Sequence, residues 1–413
     1  MWDHIKIGFF LANRQVRRAS KWTTGLIIFV MVLTFLNLTV VSGVLVGLID
    51  SSIKAQRQYH TSDVFVTTLD KKEYIENTAN IIEMIKSLPE LEMYTPRYAE
   101  GGTMEANYKE NTKETDKEKS GATFMGIDPV VENKLTGISK FMIEGSYIEP
   151  DDFDKVMVGS LFVKKYSPVE NQGFTALNVV AGDKIRITVN GISREVTVKG
   201  ILKSKVSEVS AKVYFPEKQL RELIGRSDFN VDEIAVKLKP GADPIVVKNA
   251  LIKAGAGKYA KIKTYEDAQP KFLKDIKDTF ALLGNMISSI GLVVASITIF
   301  IVIFINAITR RKFIGIMKGI GIHGNVIEIS YVFQSMFYAI CGSAIGLVIL
   351  YGVLIPFIDA HPINFPFSDG ILSATVLGTS IRIGLLIFAT LIAGYIPARM
   401  IVRKNTLDAI LGR

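Results

Sequence analysis

The stretch RRKFIGIMKGIGIHGNVIE (Arg310–Glu328) lies between two long apolar runs, and its position governs how the chain is organised. It opens with three basic residues and continues as a helix-like run of apolar residues up to Gly321. A short basic helix between two segments of membrane length is typical of a loop at a membrane surface. The fold therefore depends on how many such segments exist and on which side of the membrane each loop lies.

Composition predicts a chain with both membrane-embedded and water-exposed parts. Of the 413 residues, 48% are hydrophobic and 22% are charged, which is too apolar for an ordinary soluble protein and too charged for a purely membrane one. The net charge of +9 does not indicate nucleic-acid binding, because the relevant basic residues cluster beside apolar runs. The single cysteine, Cys341, excludes an intramolecular disulfide.

Four segments reach the roughly 20 residues that a helix needs to cross about 30 Å of hydrocarbon. The first is too long for a signal peptide and is followed by no A-x-A-like cleavage site, so we expect it to remain as a span. The predicted spans are Thr23–Ile49, Phe280–Ile308, Val326–Ile358 and Ile371–Pro397.

Basic residues beside the spans predict the orientation. They precede the first span and follow the second and fourth, whereas the loop His361–Gly370 has neither Lys nor Arg. The positive-inside rule places both termini and the opening stretch in the cytoplasm of a cell (inner) membrane, and Asp50–Lys277 outside. The basic residues are Lys6, Arg14, Arg17, Arg18 and Lys21, then Arg310, Arg311, Lys312 and Lys318, then Arg399, Arg403, Lys404 and Arg413.

This topology predicts an α-helical membrane protein with four transmembrane helices and a large α+β extracytoplasmic domain between helices 1 and 2. The predicted segments outside the spans are a cytoplasmic amphipathic N-terminal segment (1–22), the extracytoplasmic domain (50–279), a cytoplasmic helix (309–325), an external loop (359–370) and a cytoplasmic tail (398–413).

Two βαβ patterns bracket the extracytoplasmic region. The first has strands at Asp63–Leu69 and Leu91–Tyr98 around a helix at Lys72–Leu88. The second has strands at Asp232–Leu238 and Tyr259–Tyr265 around a helix at 243–255, which begins with an acidic N-cap and a proline. Together they predict a four-stranded subdomain similar to a split βαβ sandwich.

The bracketed piece, about 104–228, is predicted to be mainly β. Within Lys184–Val198, two strands flank Asn190-Gly191, which is the strongest short hairpin signal. AKVYFP adds a strand and PEKQLRELIG a short helix, whereas Glu105–Gly121 is predicted to be a mobile loop because it is almost devoid of apolar residues.

Signatures of catalysis are absent from the sequence. It contains no GxxxxGK[ST], CxxC, HExxH or G-x-S-x-G motif, and His4, His60, His323 and His361 fall on different predicted elements. The sequence therefore predicts neither an enzyme nor a metal or cofactor site in this chain.

The opening stretch resembles the "RxxEIGxLRAxGAxxxxI" signature of FtsX-like permeases, a family that includes MacB-type exporters and lipoprotein-releasing LolC/LolE-type permeases. GYIPARMIVRKNTLDAIL resembles the family's C-terminal motif through Pro397, Ala398, Arg399, Ala409 and Ile410, and GSAIG (Gly342–Gly346) resembles its glycine-rich packing motif. GATFMGIDP and AGDKIRI…VTVKGIL resemble strands of the family's outer domain. Phe313 stands where the family commonly has Glu, and Thr406 where it has Pro.

The resemblance implies that the short helix couples the permease to a cytoplasmic ABC ATPase on a separate chain, which would hold ATP and Mg. The alternative is a helix that only anchors the topology. Partners implied are a second permease, as homodimer or heterodimer, a periplasmic adaptor and membrane lipid. The expected coupling residues are Arg311, Phe313, Ile314, Ile316, Met317, Lys318, Ile320 and Gly321.

Glycine pairs in the spans predict close helix packing. These are Gly43 with Gly47 in the first span and Gly342 with Gly346 in the third. Because spans one and two form the dimer contact in the family, the first pair is the expected dimer site.

Two polar residues in the spans, Arg382 and Asn37, have two interpretations each. Arg382 either snorkels to the outer interface, the favoured reading, or faces a protein partner. Asn37 bonds across a dimer or within its own helix. Ile5, Ile7, Phe9, Phe10 and Leu11 predict an N-terminal helix that lies on the inner leaflet.

The predicted function is the permease subunit of an ABC transporter that drives movements of its extracytoplasmic domain, for export or release of a lipoprotein, drug or peptide. The alternative is a signalling subunit that activates an extracytoplasmic cell-wall hydrolase without transport.

Overall fold

The computed structural model describes residues 2–109, 118–167, 175–361 and 372–403. In chain order the helices are α1 (Trp2–Arg18), α2 (Lys21–Thr61), α3 (Thr78–Lys86), α4 (Pro129–Thr136), α5 (Ser207–Ser210), α6 (Glu217–Leu223), α7 (Pro244–Lys253), α8 (Lys271–Thr309), α9 (Arg311–Gly319), α10 (Gly324–Ala360) and α11 (Val376–Val402).

The strands all lie between α2 and α8. They are β1 (Val64–Thr67), β2 (Leu91–Glu105), β3 (Lys119–Ile127), β4 (Met142–Gly145), β5 (Lys155–Gly159), β6 (Lys184–Val189), β7 (Ile192–Leu202), β8 (Lys212–Pro216), β9 (Glu233–Leu238) and β10 (Lys261–Thr264). The chain divides into two compact units, a helical unit formed by residues up to Asp50 and from 272 onward, and an α+β domain formed by Ser51–Lys271.

Four helices of the described chain are long and apolar enough to cross a membrane, namely α2, α8, α10 and α11. Their number agrees with the predicted spans, but the boundaries differ, most at the end of α2, at the start of α8, which begins at Lys271 instead of Phe280, and at both ends of α11. Helix α2 continues to Thr61, twelve residues beyond the predicted end at Ile49, with π-helical turns at Asn37–Val41 and Arg57–Thr61. Helix α11 begins at Val376 because Thr375 caps it, its hydroxyl accepting a hydrogen bond from the Gly378 N–H at 3.2 Å.

The first sheet of the α+β domain confirms the split βαβ prediction. Its strand order is β10-β1-β9-β2 with antiparallel pairs throughout, so each βαβ unit contributes strands that are separated by a strand of the other. Helix α7 starts as predicted, with Asp243 accepting from the Ile245 N–H at 2.8 Å and Pro244 in the first turn. Helix α3 starts only at Thr78, because Asn77 before it has a left-handed backbone with φ of 58°.

The inserted piece is a closed ring of strands. Strand pairing runs β2–β3–β8–β5–β7–β6 and returns to β2, with β4 added beside β7. The mainly β prediction and the hairpin are confirmed, since Asn190 and Gly191 join β6 to β7 with φ of 49° and 78°. Glu105 and Lys119 belong to strands, so the predicted loop is shorter, and residues 110–117 lie outside the described part of the chain.

Candidate functional site

Helix α9 occupies the predicted coupling position, but it is shorter than the predicted segment 309–325. It ends in a left-handed turn at Gly321, whose φ is 94°. The Gly321 N–H donates to the Lys318 carbonyl at 3.1 Å and the Ile322 N–H to the Met317 carbonyl at 2.9 Å, which are the two bonds of a Schellman cap. His323 then caps α10, its Nδ1 accepting from the Asn325 N–H at 3.3 Å. The orientation of α9 is therefore fixed at its C-terminal end.

The apolar residues of α9 divide between two faces. Ile314 is 2% exposed, and Met317 packs beside it against the buried core of the helical unit. Phe313, Ile316 and Ile320 are instead 66%, 44% and 73% exposed. Their spacing of three and four residues places them on one stripe of the helix surface. We call these three residues the outer stripe. Sequence pattern alone did not separate it from Ile314 and Met317.

One predicted coupling residue, Lys318, and one residue of the C-terminal motif, Arg399, form hydrogen bonds within the chain. Lys318 Nζ donates to the Val402 carbonyl at 2.9 Å, where a cation is favourable because the carbonyls at a helix C-terminus are otherwise unpaired. Arg399 donates through Nη1 to the Tyr395 hydroxyl at 2.7 Å. The Lys318 bond holds α9 against the end of α11, and the coupling role expected of Lys318 stays a prediction.

The predicted C-terminal motif is partly described. Pro397 and Ala398 are buried in α11, and Arg399 lines a cavity of about 620 Å³ together with Lys318 and Glu328. Thr406, Ala409 and Ile410 lie outside the described residues. The described part of the motif therefore packs beside α9.

The glycine pair of the third span packs α10 against α2. A methyl group added at Gly342 would overlap Met31, and one added at Gly346 would overlap Phe35, one helical turn later. Helix α8 also approaches α2 closely, because a methyl group added at Gly284 would lie 3.1 Å from the Ser42 Cα. These contacts give α2 a tightly packed position in the helical unit.

The glycine pair of the first span does not form a free dimer surface. A methyl group added at Gly43 would lie 2.9 Å from Leu372 and 3.0 Å from the Ser373 carbonyl oxygen of the same chain. The Ser373 N–H donates to the Gly43 carbonyl at 3.0 Å, and Gly47 is also buried. The prediction that Gly43 contacts a second permease is therefore wrong here, because residues 372 and 373 of the same chain cover Gly43. The prediction for Gly47 stays untested.

Two polar residues of the spans have defined surroundings in the helical unit. Arg382 donates through Nη2 to the Ser42 hydroxyl of α2 at 2.6 Å. The Asn37 amide oxygen is buried without a hydrogen bond among the described residues and lies against Gly291 of α8.

Helix α1 does not simply lie on a membrane surface, because its Gly8 and Ala12 are buried. The Phe9 ring lies 5.5 Å from that of Phe333, and the His4 ring lies 5.4 Å from that of His323. Helix α1 is therefore packed along α10, while Ile5, Ile7 and Phe10 remain exposed.

The C-terminal end of α2 is held inside the α+β domain by a buried charge cluster. Arg97 on β2 and Glu132 on α4 are each 3% exposed and form two hydrogen bonds of 2.8 and 2.9 Å. Arg97 also donates to the carbonyl of His60, in the last turn of α2, at 2.8 Å. Gln56 of the same helix donates to Glu208 at 2.8 Å. The only sequence signal for this cluster is that Arg97 occupies an inward-facing position of a strand.

Comparison with known families assigns both parts of the chain. A model of the MacB-like periplasmic core domain matches residues 24–254, and a model of the FtsX-like permease C-terminal region matches residues 285–406. The first match alone covers more than half of the chain.

Individual relatives are distant. The chain is 24% identical over 228 residues to the macrolide export ATP-binding/permease protein MacB 1 of Yersinia pestis, which covers 52% of this chain and 33% of that protein. It is 24% identical over 279 residues to an ABC transporter permease of Methanocaldococcus jannaschii, covering 65% of each. The chain thus spans about a third of the length of the MacB relative.

Among solved structures, the periplasmic region of MacB from Actinobacillus actinomycetemcomitans matches 51% of this chain and 92% of its own length, with 16% identity and a TM-score of 0.35. Because the periplasmic-core model covers most of the α+β domain and the permease model covers most of the last three long helices, the chain belongs to the FtsX-like permease family and carries a MacB-like periplasmic core domain.

Proposed function

We propose that this chain is the membrane subunit of an ABC transporter, and that a cytoplasmic ATPase on a partner chain docks on the outer stripe of α9. The observation that carries the proposal is the division of α9 into a face buried in the helical unit and an exposed stripe of three large apolar residues. A helix that only anchored topology would need its basic residues but no such stripe.

The contact at α9 would have an apolar centre and a basic rim. Phe313, Ile316 and Ile320 would enter a pocket on the ATPase, and the exposed Arg311 and Lys312 would lie at its edge. Binding energy in protein interfaces concentrates in central apolar and aromatic anchors, whereas edge charges mainly affect association rate. The stripe residues should therefore determine affinity.

Transmission would run through α2, which continues unbroken from Lys21 to Thr61. Its inner part packs through Met31 and Phe35 against the glycine pair of α10, and its last turn bonds to Arg97 in the α+β domain. Movement imposed on α9 would be carried by the packed helical unit to α2, and from α2 to the α+β domain.

We further propose that the protein resides in the inner membrane with both termini in the cytoplasm and the α+β domain outside. A second permease would complete the assembly, with a periplasmic adaptor as a further partner. The substrate would be released on the outer side. Relatives named as macrolide exporters support an amphipathic compound, and lipoproteins or peptides are the other candidate cargoes.

Photo-crosslinking tests the docking site directly. A photoreactive phenylalanine at position 313 or 320 should crosslink to a protein that mass spectrometry identifies by a phosphate-binding GxxxxGK[ST] loop. The same group at Val294, which is exposed on the long helix α8, is the matched control and should not yield this product.

A substitution experiment measures how far ATPase binding and stimulation depend on the outer stripe. Phe313→Ser with Ile320→Ser should abolish co-purification of the crosslinked ATPase and the stimulation of its ATP hydrolysis. The control, Ile245→Ser with Val246→Ser, removes apolar groups that are also more than half exposed from the α+β domain and should leave both unchanged. An ATPase that stays bound and stimulated with the stripe variant would refute docking on α9.

A further inference from the structure

The α+β domain contains an open, strongly basic cleft of about 890 Å³. Its walls are the last turns of α2, the end of α4 with the residues that follow it, and the turn after β9. Six basic side chains line it against two acidic ones, Asp63 and Glu92, which gives a net charge of +4. The basic residues are Lys54, Arg57, Lys134, Lys140, Lys237 and Lys239.

Both carboxylates are already used by neighbouring cations. Arg57 pairs with Asp63 at 2.5 Å, and Lys237 pairs with Glu92 at 2.8 Å. Lys239 donates to the Pro89 carbonyl at 2.7 Å. Neither carboxylate of the cleft is therefore left to neutralise a further basic side chain.

Three lysines of the cleft are not engaged in this way. Lys54, Lys134 and Lys140 are exposed and form no ion pair with any residue that the structure describes. They come from two separate elements, since Lys54 is on α2 while Lys134 is on α4 and Lys140 follows it. Like charges that face one concave space repel each other, and walls of low dielectric concentrate their field in that space. The cleft is therefore suited to an anion with several charged oxygens.

We propose that this cleft binds a phosphate-bearing anion. Lysine ammonium groups act as point charges on phosphate, so three of them can contact different oxygens of one group. The hydroxyl-bearing residues Ser139 and Tyr59 line the same space and add polar groups for its remaining oxygens. The source is either the headgroup of an anionic phospholipid or a free phosphate compound.

Binding there would have a mechanical effect. The anion would bridge Lys54, near the outer end of α2, to Lys134 and Lys140 of the domain body. It would replace repulsion between these elements with attraction and so reduce opening of the last turns of α2.

The test uses the full chain purified in a neutral detergent. Isothermal titration with monomeric dihexanoyl phosphatidylglycerol should show binding that weakens with added salt. The variant Lys54→Gln, Lys134→Gln, Lys140→Gln should weaken it by about tenfold or more, since three charge-assisted contacts are lost. The control Lys218→Gln, Lys253→Gln, Lys258→Gln removes the same charge from exposed sites elsewhere in the domain and should leave the affinity within about twofold.

Two additional ligands identify the source. If inorganic phosphate binds to the wild-type cleft as tightly as the phosphatidylglycerol and the lysine variant loses it, the ligand is a free anion; if only the lipid binds, the ligand is a headgroup. Equal binding of dihexanoyl phosphatidylcholine, or equal affinities of the lysine variant and the control, would overturn the proposal.

Folding and the mechanical effect have their own readouts. The melting temperature measured by circular dichroism must not be lower in the variant than in the wild-type chain, and Lys134→Gln with Lys140→Gln alone serves as a milder variant that should show an intermediate affinity. Hydrogen exchange of residues 51–61 should slow when phosphatidylglycerol binds to the wild-type chain and should not change in the lysine variant. None of these measurements involves an ATPase, so their failure leaves the docking proposal untouched.

Discussion

Removing Glu132 should destabilise the α+β domain more than any surface change, because it leaves a guanidinium buried without its main partner. Glu132 accepts two hydrogen bonds from Arg97, and both side chains are 3% exposed. After Glu132→Ala the nearest remaining carboxylate is Glu233, whose oxygen lies 3.8 Å from Arg97 Nη1. That distance is too long for a hydrogen bond, so one face of the guanidinium loses its acceptors.

The expected loss is about 3–5 kcal/mol, the range for breaking a buried ion pair by removing one partner. For a domain of this size, each kcal/mol lowers the melting temperature by about 2–4 °C. The variant should therefore melt roughly 6–20 °C below the wild-type domain. Replacing both partners, as Arg97→Met with Glu132→Leu, should restore most of the loss, because no buried charge is then left unpaired.

The assay is thermal and urea unfolding of the fragment 50–277, which should fold alone with one cooperative transition. Far-UV circular dichroism is the appropriate signal because both tryptophans, Trp2 and Trp22, lie outside this fragment. Glu76→Ala, which removes the partner of Lys72 in an exposed pair, is the control and should shift the melting temperature by about 1 °C or less. If Glu132→Ala has the same melting temperature as the control Glu76→Ala, the buried cluster does not hold the domain together.

Three other predictions concern packing, pH and topology. Gly346→Ala should lower the melting temperature of the full chain in detergent, because overpacking against Phe35 costs about 1–3 kcal/mol. Gly352→Ala, where the added methyl group meets open space, is the control and should not lower it. Equal melting temperatures of the two variants would contradict the packing of Gly346 against Phe35. Burial raises the pKa of Asp232 to about 6 from 3.8, so its contribution is present at low pH and is lost as pH rises through 6. The unfolding free energy of the wild-type domain minus that of Asp232→Asn should therefore fall by up to about 3 kcal/mol between pH 4 and pH 7, and a constant difference would contradict the shift. A topology reporter at Asn325 should behave as cytoplasmic and one inserted after Asn190 as external, and an external signal at Asn325 would overturn the four-span orientation.

Local signals in the sequence were sufficient for much of the fold. Asn190-Gly191 predicted a hairpin because only such residues adopt positive φ cheaply, and both do so here. Asp243-Pro244 predicted the start of α7 through capping chemistry that needs no distant partner. The spans followed from length and hydropathy, which depend on the membrane and not on neighbouring helices.

What failed depends on contacts between distant parts of the chain. The β ring closes because the C-terminal part of β2 pairs with β6, while the N-terminal part of β2 pairs with β9 in the other sheet, and nothing in its local pattern encodes both partners. Gly43 looked like a dimer site because a small residue pattern does not state which helix or loop will cover it. Residues 372 and 373, more than three hundred positions later, cover it here.

The same limit applies to α9. Five large apolar residues within eight positions (Phe313, Ile314, Ile316, Met317 and Ile320) form one broad apolar face about 160° wide, so their pattern does not show which part of that face is buried. The choice is made by the Schellman turn at Gly321 and by the bond from Lys318 to the end of α11, both of which fix the rotation of the helix.

Helix α2 is held by two kinds of interaction that can be broken independently. Its N-terminal half is held by van der Waals contact of Met31 and Phe35 with two glycines, and its C-terminal end by a buried charge cluster around Arg97. At 41 residues it is about 60 Å long, roughly twice the hydrocarbon thickness, so part of it must lie outside the membrane. If α2 transmits the motion, Glu132→Ala in the full chain should leave ATPase docking on α9 intact while uncoupling ATP hydrolysis from substrate release. Stripe variants should instead abolish docking itself, and loss of docking in Glu132→Ala would mean that the outer end of α2 is required for assembly, not for transmission.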